Sequence, residues 1–329
     1  STPKPSSAAS DVYKRQDGNC TGLVDENAMR AIQSVTLPES GEEIAQALEL
    51  ATQRYLERGL TSVTDAGVAG GWIGHSPREI AAYQQATLHT RMQIMVTMDV
   101  LHEIHGHESD GPGWGLDGGL RTGFGDEWLQ IGPVKMFSDG SILGTTAALT
   151  EDYVCCSHHG YFQGDPEQMR ERALNAAASG WSLAIHAIGD AAVDFAIESL
   201  EKAVDRYGEP AMPHRIEHGG IVRPDQMERL RGKPIVVVPQ PLFIKAFGDA
   251  MADALGPERA AWSYPGKRLL DADLILPGSS DQPVAPGVPL EIMQAAIERR
   301  TETGRDYGPA DRLTPEEALY AYTAGSAAA

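Results

Sequence analysis

Seven short apolar segments that alternate with amphipathic helical patterns place the strongest limit on how this chain can fold. Strands that are each followed by a helix build parallel sheets through right-handed crossovers. The segments predicted as strands are Leu60–Asp65, Met92–Asp99, Pro133–Asp139, Ser182–Asp190, His214–His218, Pro234–Pro239 and Leu274–Asp281. The predicted helices are Gly41–Arg58, Pro77–His89, Pro166–Ser179, Ala191–Tyr207, Pro224–Arg231 and Pro289–Arg300. The pattern predicts an α/β fold with a parallel sheet, one strand short of a TIM-type (β/α)8 barrel.

The composition is that of a globular enzyme rather than of a membrane or nucleic-acid-binding protein. The 329 residues are 42% hydrophobic and 22% charged, and no apolar run approaches the roughly 18 residues that span a bilayer. The net charge of −19 is opposite to the basic surface that phosphate binding requires. Cys20, Cys155 and Cys156 form no disulfide framework. We expect a cytoplasmic protein that acts on a small-molecule substrate, with no nucleic-acid or membrane partner and with a homo-oligomer left open.

The two ends of the chain do not fit the alternating pattern. Residues 1–16 are rich in Ser, Ala, Pro and Lys without helical or strand periodicity, which predicts a disordered or non-native segment. Residues 17–329 are then expected to form one partial barrel domain. A helix start at Thr314 and Pro315 leads straight to Ala329 without a C-terminal cap, so the pattern predicts a chain truncated at both ends.

Two successive predicted strands end on a histidine. His186 and His218 each close an apolar run that breaks at a glycine, and α/β barrels keep their chemistry at the carboxyl ends of the strands. Neutral imidazole is the commonest protein ligand for zinc-like metals. One such histidine is more often a hydrogen-bonded core residue, but two on neighbouring strands favour a shared metal ion. His214 lies on the same predicted strand as His218 and is a lesser candidate.

A lysine and a carboxylate on other predicted strands could complete such a site. Lys135 stands among apolar neighbours, where a buried ammonium is costly unless it is paired or modified. Reaction with carbon dioxide would turn it into an anionic carbamate ligand, whereas spacing alone favours an ion pair with Asp139 or Asp65. Asp281, which ends the last predicted strand, could ligate a metal and accept a proton from water, or could cap a turn. Asp65 is ambiguous in the same way.

Two other histidine clusters are discounted as metal sites. His102, His105 and His107 lie in a segment rich in Gly and Asp, which indicates a solvated loop. His158 and His159 follow the paired cysteines, but Cys-Cys-x-His-His lacks the spacing of a closed zinc site.

Five motifs in order along the chain resemble the amidohydrolase superfamily. The branch that they resemble most is amidohydrolase family 3, the YtcJ-like group that includes N-substituted formamide deformylases. The motifs are Gly59–Gly67, Val134–Ser141, Ala184–Asp190, Arg215–Gly219 and Gly278–Val284. The similarity runs from about Asp17 to the end of the chain.

The resemblance implies a (β/α)8 hydrolase barrel that holds one or two divalent metal ions, usually zinc. Lys135 would be the carboxylated lysine that bridges them, and His186 and His218 would be ligands on the fifth and sixth strands. Asp281, on the eighth, would ligate the metal, take the proton from the attacking water and pass it to the departing nitrogen. The remaining candidates, for supporting the ligands or contacting the substrate, are Asp65, Asp190 and Gln240.

The chain departs from the family pattern at the first strand. Members open their barrel with a strand ending in His-x-His, which supplies two further ligands, whereas His105–His107 follows the third expected strand here. The small β-sandwich that members build from both chain ends is also expected to be absent. We expect the parent enzyme to cleave a C–N bond of an amide, formamide or cyclic amide, and this chain to be weakly active or inactive.

Two other functions stay open at this point. A non-hydrolytic barrel enzyme, such as a metal-assisted lyase or isomerase, would use the same ligands on a substrate without a bond to hydrolyse. A binding or scaffold protein would keep the fold and hold no metal.

Overall fold

A short antiparallel pair of strands comes first in the chain. The computed structural model describes residues 12–14, 20–24, 39–70, 76–110 and 113–329. Strand β1 (Val12–Lys14) pairs with β2 (Cys20–Val24). β1 lies inside the segment 1–16, where the sequence pattern predicts no strand. The other residues of that segment lie outside the described residues, and the prediction for them stays a prediction.

The remaining elements are strands and helices, which alternate as the sequence predicts over residues 41–96 and 134–262. Up to the first long loop they are α1 (Gly41–Glu57), β3 (Ser62–Val68), α2 (Glu79–Gln85), β4 (Arg91–Val96), β5 (His102–Ile104), β6 (Gly113–Gly115), β7 (Leu129–Ile131) and β8 (Val134–Phe137). They continue with α3 (Pro166–Ala178), β9 (Leu183–Ala187), α4 (Asp190–Tyr207), β10 (His214–His218), α5 (Pro224–Leu230), β11 (Ile235–Val238), α6 (Leu242–Trp262), α7 (Lys267–Asp271), α8 (Pro289–Glu298), α9 (Pro315–Tyr320) and α10 (Ser326–Ala328). None of the helices in the described ranges is long and apolar enough to cross a membrane.

Two parallel sheets meet to form one array of strands. The first has the order β3-β4-β7 and the second the order β8-β9-β10-β11. A parallel bridge between Thr97 and Lys135 joins them. The chain passes from β7 to β8 through Gly132 and Pro133, and proline has no N–H for a ladder hydrogen bond. β7 and β8 therefore act as one interrupted strand that pairs with β4 on one side and β9 on the other.

The last predicted strand, Leu274–Asp281, is not a strand in the structure. It has no ladder with any described strand, and within the described residues β11 pairs only with β10. Its backbone is held by other partners: Gly278 N donates to Ala321 O at 2.8 Å. Ser279 Oγ accepts a hydrogen bond from Gln240 Nε2 at 3.1 Å. The segment is therefore fixed by the Gln240 side chain and by the C-terminal helical region instead of by a neighbouring strand.

Alternation along the strands separates an apolar outer layer from a polar interior. Ile185, Ile216 and Val237 are fully buried and belong to one core with the apolar face of α4. Burying each such side chain stabilises the fold by about 1.5–3 kcal/mol. The residues between them face the other side: Glu217 is paired in register with His186, which is paired with Phe137. The inward face of these strands therefore carries the ionisable groups.

His214 is a buried histidine with a structural partner. Its Nδ1 accepts a hydrogen bond from Leu183 N at 3.0 Å, which requires the neutral ring. Burial lowers the pKa of His214 to about 4. In the unfolded chain His214 binds a proton at about pH 6.5, whereas in the folded chain it does so only at about pH 4. The contribution of neutral His214 to the free energy of unfolding is therefore present above pH 6.5 and is lost as the pH falls towards 4.

His214→Asn is expected to flatten the acid dependence of stability. An asparagine oxygen can accept the Leu183 hydrogen bond without titrating. By the linkage relation, the protonation of His214 accounts for a loss of about 2 kcal/mol in the free energy of unfolding between pH 7 and pH 5. Urea unfolding at the two pH values should show a smaller loss of unfolding free energy in the variant by about that amount. An unchanged acid dependence would show that other groups govern it.

Candidate metal centre

The two histidines that end successive strands meet on the inward face of the sheet. The ring centroids of His186 and His218 are 4.5 Å apart, and the rings are nearly perpendicular. Lys135 is also buried, with its Nζ 5.0 Å from the ring centroid of Phe137. The Phe137 ring in turn lies 5.5 Å from that of His186. Three of the predicted ligands, from β8, β9 and β10, are thus buried on the inward face of adjacent strands.

Two of the predicted site residues have a left-handed backbone. φ is +74° at His218 and +54° at Asp281, a conformation that costs a non-glycine residue roughly 1 kcal/mol or more. Glu217 already faces inward, so a regular strand would turn the next side chain outward. The positive φ lets His218 turn back beside His186. Such strain clusters at functional sites.

A glutamine sets the tautomer of His218. Gln240 Oε1 accepts a hydrogen bond from His218 Nδ1 at 2.7 Å. The Gln240 amide is itself oriented, because its Nε2 donates to Val238 O at 2.6 Å and to Ser279 Oγ at 3.1 Å. The proton therefore sits on Nδ1, and Nε2 of His218 carries the lone pair that could bind a metal.

A backbone carbonyl sets the tautomer of His186. Its Nε2 lies 3.0 Å from Gly140 O, which can only accept, so Nε2 carries the proton. Asp139 Oδ1 lies 3.4 Å from the same nitrogen. His186 therefore offers Nδ1, the opposite ring nitrogen to the one that His218 offers.

The electrostatic environment keeps both rings neutral. Burial lowers the pKa of His186 well below its ordinary value, and His218 and Lys135 lower it further. Burial also lowers the pKa of His218, although the Asp281 carboxylate opposes the shift. Neutral imidazole is the form that ligates metals. Burial lowers the pKa of Lys135 as well, against the opposing charges of Glu217 and Asp281.

The residues fit a divalent metal in donor chemistry, although their histidines and carboxylates do not by themselves complete a site. Among the residues that the structure describes, no three His, Cys, Asp or Glu side chains are grouped closely enough to hold an ion. His186 and His218 supply two nitrogen donors. A third donor could come from a carboxylated Lys135, which is not one of those residue types, and the Asp281 charge acts on both Lys135 and His218.

The carboxylates considered as ion-pair partners of Lys135 have other hydrogen-bond donors. Asp139 Oδ2 accepts from Gly189 N at 2.8 Å and from Ala148 N at 3.0 Å, which ties the loop after β8 to the turn after β9. Asp65 Oδ2 accepts from the Tyr83 hydroxyl of α2 at 2.5 Å. Asp65 therefore contacts the helix layer.

Asp190, the first residue of α4, connects this helix to two loops. Its carboxylate accepts from Thr150 N at 3.0 Å and from Arg223 Nη1 at 3.0 Å. The structure therefore places Asp190 in a structural network, and of the three remaining candidates it brings only Gln240 against a predicted ligand.

Sequence reasoning missed a buried ion pair on β10, the strand that ends at His218. Arg215 Nε donates to Glu217 Oε1 at 2.6 Å, and both side chains are buried. Burial alone would raise the pKa of Glu217, but the charges of Arg215 and Lys135 hold it below its ordinary value. The signal was available in the sequence, since two charged residues in a buried strand must find partners.

Gln240→Leu is expected to weaken metal binding by about 10- to 100-fold, because it removes the acceptor that holds the His218 ring. Gln240→Glu, which keeps an oxygen acceptor, should lose less. Competition with a chromogenic chelator for zinc would measure both affinities. Equal affinity in the Leu variant and the unaltered chain would show that Gln240 does not position the ring.

Comparisons with known proteins show the family to which the whole chain belongs. The whole chain, residues 1–329, matches the sequence profile of the Amidohydrolase family. It is 30% identical over 328 residues to Protein LONG AFTER FAR-RED 3 of Arabidopsis thaliana, covering 97% of this chain and 54% of that protein. It is 26% identical over 336 residues to the N-substituted formamide deformylase of Arthrobacter pascens, covering 98% of this chain and 58% of that enzyme.

The fold also matches a solved structure. An uncharacterized metal-dependent hydrolase of Pyrococcus horikoshii superposes with a TM-score of 0.75 at 26% identity, covering 98% of this chain and 62% of the other. The chain thus spans 54% to 62% of the length of these three proteins. The resemblance expected from the five motifs and the TIM-type α/β fold are confirmed.

Proposed function

Because the chain belongs to the amidohydrolase family, we propose that it acts as a metal-dependent hydrolase that cleaves a C–N bond of an amide, formamide or cyclic amide. One observation carries this proposal: two buried, neutral histidines 4.5 Å apart, with opposite ring nitrogens held by protein acceptors. The N-substituted formamide deformylase among the relatives supports the choice of a C–N bond. The substrate would be a small molecule.

The donor set favours zinc, held by His186, His218 and a carboxylated Lys135. When bound, such an ion would polarise a carbonyl group and lower the pKa of a water molecule to about 7. Burial favours the uncharged amine of Lys135, which is the form that reacts with carbon dioxide.

Asp281 is the proposed proton carrier. It is half-buried, and its charge acts on both Lys135 and His218. Its carboxylate would take the proton from the attacking water and deliver it to the departing nitrogen. The aromatic rings of Phe137 and Phe243, at 5.5 Å and 6.4 Å from the two histidine rings, would keep bulk water away from them.

A second candidate is a folded chain that is inactive by itself. It is favoured by the absence of any group of three His, Cys, Asp or Glu ligands in the described part of the chain. The two candidates differ in metal content and in turnover, so both can be measured on the same preparation.

Elemental analysis of the purified, monodisperse chain is the experiment that tests the proposal. We expect about one or two zinc ions per chain, and loss of the ion in a Lys135→Ala/His186→Ala double variant. The same protein should hydrolyse members of a panel of N-substituted formamides and cyclic amides, and a chelator should stop the reaction. Metal without turnover would support the inactive-chain candidate. A well-folded chain without metal would overturn the proposal.

A further inference from the structure

Two adjacent cysteines lie outside the candidate metal centre, in the long loop between β8 and α3. Cys155 is exposed and Cys156 is half-buried, and their Sγ atoms are 2.7 Å apart. Consecutive side chains in an extended segment point to opposite faces. The contact arises because the chain turns at residues 154 and 155. The two thiols therefore lie side by side at a place that solvent can reach.

The loop on the amino-terminal side of the cysteines is anchored to α6. Val154 N donates to Ala254 O at 2.9 Å. The Arg259 guanidinium donates to Glu151 O at 3.1 Å and to Asp152 O at 2.9 Å. These contacts fix the backbone that leads into the turn, so the pairing of the thiols does not depend on a freely moving loop.

The two thiols differ in exposure, because Cys155 is exposed and Cys156 is half-buried. A hydrogen bond with the Cys155 sulfur also raises the pKa of Cys156 above its ordinary value. Because the thiolate is the nucleophile in disulfide exchange, Cys155 is the expected attacking group and Cys156 the group that reacts second.

We propose that Cys155 and Cys156 form a reversible oxidation site, at which a small disulfide such as oxidised glutathione converts the two thiols into a vicinal disulfide. The Cys155 thiolate attacks one sulfur of the small disulfide, which forms a mixed disulfide and releases one thiolate. The Cys156 thiolate then attacks the Cys155 sulfur and releases the second. The protein gives up two electrons and two protons, and the two released thiols carry them.

Backbone geometry makes this bond reducible. Consecutive Cα atoms are about 3.8 Å apart, which is shorter than the roughly 4.4–6.8 Å that unstrained disulfides span. Strained and exposed disulfides have more oxidising potentials and are the labile ones. The site is therefore suited to repeated oxidation and reduction rather than to a permanent cross-link.

Mass spectrometry after oxidation tests the proposal. The reduced chain is incubated with oxidised glutathione, and the remaining thiols are blocked with N-ethylmaleimide. The mass of the peptide that contains both cysteines is then measured. We expect it to lose the mass of two hydrogens and to take up no blocking agent, with full reversal by dithiothreitol. Cys20→Ser, the matched control at the third cysteine, should behave in the same way. Cys156→Ser should stop at the mixed disulfide on Cys155.

Two results of this oxidation experiment would overturn the proposal. One is a stable mixed disulfide on Cys155 in the unaltered chain, with Cys156 free to react with the blocking agent. The other is a disulfide-linked dimer that persists in Cys20→Ser. A second probe needs no variant: phenylarsine oxide, which joins two neighbouring thiols with loss of water, should bind the reduced chain once and protect both cysteines. Failure of that binding would show that the two thiols do not act together.

Discussion

His218→Gly is expected to remove metal binding while leaving the fold intact. The substitution deletes one of the two nitrogen donors, and loss of a direct ligand should exceed the 10- to 100-fold cost of losing a supporting hydrogen bond, so a drop of about 1000-fold or more is expected. Glycine is chosen because φ is +74° at this position, a conformation that glycine adopts without strain. Zinc affinity and unfolding free energy should both be measured.

The comparison with two other variants makes this prediction specific. His218→Ala should lose the metal equally but be less stable than His218→Gly by about 1 kcal/mol, because alanine is strained at this φ. His214→Asn changes a buried histidine on the same strand whose partner is Leu183 N, and it should retain the metal. If His218→Gly bound zinc as tightly as the unaltered chain, His218 would not be a ligand.

The strands show how far an apolar pattern can predict this fold. β10 has the predicted bounds, His214–His218, because a compact run between Pro213 and Gly219 leaves little freedom for its ends. Leu274–Asp281 begins with a more apolar run, Leu274–Leu276, but pairs with no described strand. Apolar character reports burial, and burial can be reached by packing against helices as well as by joining a sheet. Only the position of a neighbouring strand decides between the two.

The sequence predicts the residue types of the candidate site but not the direction in which each side chain points. The sequence places Asp65 and His186 alike near the ends of strands, yet Asp65 contacts Tyr83 on the helix side while His186 faces inward. Period-two alternation assigns residues to two faces without saying which face is the interior. The inward turn of His218 depends on a positive φ that the residue type does not require. The support from Gly140 O is a backbone contact, which leaves no trace in a sequence.

Asp281→Asn is expected to lower kcat by about 100- to 10,000-fold, because it removes the proposed proton acceptor. Asparagine keeps an oxygen atom that can ligate a metal at the same position. It also tolerates a left-handed backbone, and φ is +54° here. Metal content should therefore fall much less than kcat. The measurement is zinc content and steady-state kinetics on the same preparation, with a substrate identified from the amide panel.

A second aspartate with the same backbone conformation provides the control for this variant. Asp273 has φ of +58° and an exposed side chain, so Asp273→Asn makes the same chemical change at a matched conformation away from the histidines. It should leave kcat unchanged. If Asp281→Asn kept kcat, proton transfer would have to be assigned to another group. If it lost zinc and activity in equal proportion, Asp281 would act as a ligand rather than as the base.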